Sequence, residues 1–72
     1  MNVLGKILKE ARDKKGISLE QLSQNLKISI YHLEAIEGGN FDKTPGDPYT
    51  LSFIKTYGKY FDLDLDLITT VY

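Results

Sequence analysis

The chain has 72 residues, nine basic and ten acidic side chains, a formal charge of -1, 42% hydrophobic residues and no cysteine. A chain this short buries only about 60% of the surface its unfolded form exposes, enough for one core and too little for a large enclosed catalytic cleft. The balanced charge excludes the strongly basic surface usual for a small nucleic-acid-binding domain, and the missing cysteines exclude disulfides, thiolate catalysis and sulfur-ligated zinc.

The charges are unevenly spread. Lys6, Lys9, Arg12, Lys14 and Lys15 face only Glu10 and Asp13 in the first segment, whereas from Glu37 onward six acids face Lys43, Lys55 and Lys59. The apolar runs are a few residues long, against roughly 18 for a membrane span, and the basic N-terminus lacks the apolar stretch of a signal peptide. The 72 residues are therefore expected to be soluble and cytoplasmic, with any membrane contact made through a segment beyond them.

Taken in chain order, Val3, Leu4, Ile7, Leu8 and Ala11 recur at steps of three and four, so the spacing predicts an amphipathic helix over about 2–15 that Gly16 stops. Lys6 with Glu10 and Lys9 with Asp13 can pair at i, i+4 on its solvent face. Beside a membrane the same cations could rest on anionic head groups, each contributing about 1 kcal/mol. Ser18 followed by Gln21 is a capping-box pattern and opens a second helix over about 18–25, with Leu19, Leu22 and Leu26 inward and Gln21 and Ser23 outward. Ser29 caps a third helix over about 29–37 that buries Leu33 and Ile36 and ends at Gly38-Gly39.

A loop from Asn40 to Gly46 follows. Asp47-Pro48 then reads as a cap and first-turn proline for an aromatic fourth helix over about 48–61, in which Gly58 costs about 1 kcal/mol relative to alanine and so marks close packing. Leu63-Asp64-Leu65-Asp66-Leu67 alternates like a strand, but a lone strand has no partner. A fifth helix over about 64–71 is expected instead, capped by Asp64 and folding Leu65, Ile68 and Val71 inward. The whole, residues 1–72, reads as a single all-α domain: a small five-helix bundle with a phage-repressor-like helix-turn-helix.

In that motif the second helix offers its first turns to base edges, where Arg, Lys, Asn, Gln, Ser and Thr are useful. Here the outward positions fall near Ile30, Tyr31, Glu34 and Ala35, with Lys27 and His32 the nearby groups able to help. Specific binding normally neutralises several phosphates, so DNA is a poor fit as partner. A DNA-binding transcriptional regulator using Lys27, Ile30, Tyr31 and His32 remains the alternative reading, kept open by what the motif usually does. His32 has no second ligand at metal spacing. It lies two residues from Glu34, on a different helix face, and no glycine-rich loop precedes a helix. The chain is expected to be a non-enzyme without metal, cofactor or small-molecule substrate.

Five tyrosines and three phenylalanines are many for this length, and most lie between Phe41 and Phe61. On a helical wheel Tyr49, Phe53 and, less closely, Tyr57 share one side of the fourth helix, while Ile54 and Phe61 fit the core side and Tyr57 lies at the boundary. Such a stripe can be plain core. It can equally expose Tyr49 and Phe53, and rigid aromatics four apart have the makeup of a binding hot spot. Leu51, on another face, either extends an exposed patch or packs on the fifth helix.

The succession Leu4-Gly5, Leu8, Ala11-Arg12, Lys15-Gly16-Ile17-Ser18-Leu19-Glu20-Gln21-Leu22, Leu33-Glu34-Ala35-Ile36-Glu37, Phe41-Asp42, Tyr49, Phe53-Ile54-Lys55-Thr56-Tyr57 and Leu63-Asp64 resembles the N-terminal cytoplasmic domain of the RodZ family over nearly the whole chain. The resemblance implies a bacterial cell-shape protein, cytoplasmic and membrane-anchored by a following segment, that binds the actin-like filament protein MreB and links it to wall synthesis. It also implies that the aromatic pair of the fourth helix, here Tyr49 and Phe53, makes that contact; from their positions on the same helix, Tyr57 is expected to join it, with Ser52 and Thr56 at the rim. Leu51-Ser52 stands where members often have Arg-Gly, and Gly58 where alanine is usual.

Overall fold

A computed structural model describes residues 3–46 and 48–72, the side chain of Val71 excepted. The expected helix start at Asn2, cap at Asp47 and inward turn of Val71 lie outside the described residues. Five α-helices and one 3-10 turn run through them: α1 Val3–Lys14, α2 Leu19–Leu26, α3 Ile30–Gly38, the 3-10 turn Phe41–Lys43, α4 Tyr49–Tyr60 and α5 Leu65–Val71. The protein is all-α, a five-helix bundle in which α2 and α3 form the helix-turn-helix.

Three of the helices begin where a side-chain oxygen supplies an acceptor to orphan backbone N–H groups. Ser18 Oγ accepts from the Gln21 N–H at 3.1 Å, Ser29 Oγ from that of His32 at 3.2 Å, and Asp64 Oδ1 from those of Asp66 and Leu67 at 3.0 and 3.2 Å. The Asp64 cap is why the alternating Leu-Asp run is helical. α3 ends on Gly39, whose φ of 76° is the left-handed turn that glycine adopts without strain. α2 ends on Lys27 in the same conformation at φ 57°. There Ser23, expected to face outward, is half-buried and donates its hydroxyl to the Ile28 carbonyl at 2.6 Å, stapling the turn.

The core gathers Leu4, Leu8, Leu22, Ile28, Leu33, Ile36, Ile54, Tyr57 and Ile68. α3 packs against α1, α2 and the 3-10 turn, while α5 packs against α4 and α1. The α1 stripe centres on Leu4 and Leu8, so Val3, counted with the inward repeat, is exposed at its edge, and Ile7 and Ala11 are half-buried. At Gly5 the helices come so close that a Cβ would lie 2.6 Å from the Ile36 carbonyl oxygen and nearer still to that of Glu37. A Cβ on Gly58 would meet Ile68 Cδ1 at 2.6 Å and Leu65 Cδ2 at 3.2 Å, so the close packing marked by that glycine is the seat of α5.

Candidate functional site

The aromatic surface starts at the head of α4, which is held by hydroxyl groups from the preceding loop. The Gly46 N–H donates to Thr50 Oγ1 at 3.1 Å, and the Thr44 hydroxyl donates to the Phe41 carbonyl at 2.6 Å. With the Thr44 proton used, the 2.5 Å contact between the two threonine hydroxyls is made by the proton of Thr50. Every group in this buried chain is satisfied in one direction, from backbone N–H to backbone carbonyl. Thr50 is fully buried, which turns its neighbour Tyr49 outward, 61% exposed.

One turn on, Phe53 is only half-buried rather than free-standing, because its ring lies against α3. His32 stacks on it with ring centroids 5.5 Å apart and planes inclined by 27°. Tyr31 in turn meets His32 edge-on at 5.6 Å and is 57% exposed. The two helices thus share a run of rings, Phe53, His32 and Tyr31, with Tyr49 a turn before Phe53 on α4. Ser52 and Thr56 are exposed on the other flank of α4, where they line a groove of about 360 Å³ with Leu51, Lys55 and Lys59 and with Leu65 of α5. Leu51 therefore faces the α5 side.

Tyr57 departs from the expected site. It has no exposed surface and belongs to the core, so its ring cannot be offered to a partner. The reason is a polar cluster beneath the aromatic strip. Glu37 at the end of α3 accepts from Arg12 Nε at 2.7 Å, from Arg12 Nη2 at 3.1 Å and from the Tyr57 hydroxyl, while Arg12 Nη1 donates to the Ile17 carbonyl at 2.8 Å. The Arg12 and Glu37 side chains are 12% and 9% exposed. The Glu37 hydrogen bonds push the Arg12 guanidinium pKa above its ordinary range, and burial, followed by the bond to Glu37, pushes the Tyr57 phenol up as well. Ion pairs among the described residues belong to Arg12, with Glu37 and, more loosely at 3.7 Å, Asp13. The expected Lys6–Glu10 and Lys9–Asp13 pairs do not form.

Sequence reasoning missed this cluster, although a signal existed. Leu4, Leu8 and Arg12 share one helical stripe, as do Leu33 and Glu37, so opposite charges stand at inward positions of two helices. The stack of His32 on Phe53 had no sequence signal, since nothing in the chain ties α3 to α4 at that level.

The positions that would read DNA are dispersed. Lys27 is exposed in the left-handed turn, Ile30 is half-buried, and Tyr31 and His32 belong to the aromatic strip. Ala35, expected to face outward, is 5% exposed and packs inward beside Ile36. No lysine or arginine stands on α3 itself. No helix among the described residues is long and apolar enough to cross a membrane.

The chain matches the model of a helix-turn-helix domain family over residues 7–68 and belongs to that family. It is 36% identical over 69 residues to the cytoskeleton protein RodZ of Streptococcus pneumoniae, covering 96% of this chain and 25% of that protein. To an uncharacterized membrane protein of Bacillus subtilis, YmfM, it is 42% identical over 50 residues, or 69% of this chain and 17% of the relative. The chain thus spans at most a quarter of the length of these relatives. No solved structure matches it.

Proposed function

We propose that this helix-turn-helix domain is a cytoskeletal adaptor that binds the actin-like filament protein MreB through the aromatic side of α4, in a longer parent protein that carries the contact to the membrane and the wall-synthesis machinery. Its work is binding and not catalysis. Tyr49 and Phe53 are the anchors, and Ser52 and Thr56 lie at the rim of the contact. The likeness to a cytoskeleton protein supports the cytoskeletal role, and the likeness to a membrane protein supports tethering at the cytoplasmic face of the membrane. The observation that carries the reading is Tyr49: a large ring, 61% exposed, at the head of a helix pinned by the Thr44–Thr50 hydrogen-bond chain. A side chain that commits so much apolar area to water on a fixed helix has the character of an interface anchor.

The test is co-pelleting of the domain with assembled MreB. Each anchor truncated to alanine removes about 2 kcal/mol, so the Tyr49→Ala, Phe53→Ala double variant is expected to bind roughly a thousandfold more weakly. Tyr49→Ala alone, which disturbs nothing buried, is expected to bind about thirtyfold more weakly. Unchanged affinity of the double variant, with its far-ultraviolet circular dichroism intact, rules the assignment out.

A further inference from the structure

Phe53 cannot be gripped alone. Its ring is half-covered by His32, which Tyr31 meets edge-on, so what remains open of Phe53 is continuous with the first turn of α3. A standard protein contact covers roughly 800 Å² on each partner, which is about a sixth of the 4570 Å² surface of this domain. A footprint of that size centred on Phe53 covers the rings packed around it. Beyond Tyr31 lies a dent of about 150 Å³, bordered by Glu34, Ala35, Asn40 and Lys43, that a partner side chain can enter.

We infer that the first turn of α3, the position from which a helix-turn-helix ordinarily reads DNA, forms the second half of the filament-docking surface, with Tyr31 in direct contact and His32 as the residue that positions Phe53. This rests on the adaptor reading above. The partner surface it calls for is apolar opposite Tyr31 and Phe53, with a side chain that fills the dent. Three facts favour protein over nucleic acid here: no lysine or arginine stands on α3, Glu34 borders the dent, and Ala35 is buried.

Two measurements on MreB filaments test it. Tyr31→Ala removes an exposed ring without touching the core and is expected to weaken co-pelleting about 5- to 30-fold. The chain has no cysteine, so a Glu34→Cys variant offers one thiol, and its alkylation by iodoacetamide is expected to slow at least about fivefold on filaments. A Lys9→Cys control on α1 is expected to react at its free rate. Wild-type affinity of Tyr31→Ala, or equal alkylation of Glu34→Cys with and without filaments, overturns the inference. Where Tyr49→Ala still loses binding in the same experiment, the adaptor reading stands without it. Undiminished binding by the Tyr49→Ala, Phe53→Ala variant overturns both. Retention of duplex DNA that Tyr31→Ala abolishes, with filament binding unaffected, reassigns the turn to DNA.

Discussion

Replacing Glu37 by glutamine keeps the shape of the side chain and removes its charge. In the folded protein that carboxylate accepts three hydrogen bonds, two from Arg12 and one from Tyr57, at a site where both charged side chains are about nine-tenths buried. Removing one partner of a buried ion pair typically costs 3–5 kcal/mol, because the remaining charge is left without compensation. The Arg12 hydrogen bond to the Ile17 carbonyl survives the change and the site is not wholly dry, so about 3 kcal/mol is expected. A 72-residue domain has roughly 4–11 kcal/mol in total, so Glu37→Gln consumes a large part of it. Urea unfolding followed by circular dichroism, with an m-value near 1 kcal/mol/M, is expected to show the midpoint fall by about 3 M at unchanged slope. The thermal midpoint should fall by about 12–24 °C. The triple variant Arg12→Met, Glu37→Leu, Tyr57→Phe tests the reasoning from the other side: removing every polar member together is expected to restore most of the loss. A Glu37→Gln variant within about 0.5 kcal/mol of the parent would refute the reading of Arg12 and Glu37 as a buried, mutually compensating pair.

The same fold sets three further outcomes. The Tyr57 phenol has a raised pKa in the fold, so its contribution is fully present below pH 10, the ordinary value for tyrosine, and is lost as pH rises from there toward the folded value; the fall in urea midpoint between pH 9 and pH 11 is expected to be smaller in Tyr57→Phe. Gly5→Ala is expected to destabilise more than Gly58→Ala, about 2 against about 1 kcal/mol after the helix-propensity gain, because the first Cβ meets unyielding backbone and the second meets side-chain ends; reversed order in urea titrations contradicts this. Lys27 and Asp62 both sit at φ 57°, so Lys27→Gly and Asp62→Gly are each expected to raise stability by about 0.5 kcal/mol, read as an upward shift of the same midpoint.

Much of the architecture could be read from the chain because it is encoded locally. The serine caps at Ser18 and Ser29, the Asp64 cap and the Gly39 stop act within three or four residues, so their meaning is carried by adjacent letters. Inward stripes such as Leu4 with Leu8 and Leu33 with Ile36 follow from helical period alone. The site was legible only in part, because its decisive contacts join distant segments. Tyr49 faces water, one of the two outcomes its spacing left open, but the fate of Phe53 was decided by His32, twenty-one positions earlier, and that of Tyr57 by Glu37 and Arg12. A helical wheel ranks the faces of one helix; it cannot say which neighbour covers the boundary. Ala35 shows the same gap, since a small residue on a crowded helix can be enclosed from either side.

Tyr57 lies one turn beyond Phe53, yet one ring is in the core and the other on the strip. On the proposed adaptor reading, a screen for lost filament attachment will therefore collect two kinds of hit from the same short helix, and in a growing cell both will look alike. Substitutions at Tyr49 or Tyr31 should leave a well-folded domain that no longer holds on, whereas substitutions at Tyr57, Glu37 or Arg12 should deplete the domain itself. Abundance of the variant protein, measured beside attachment, sorts a lost handhold from a lost hand.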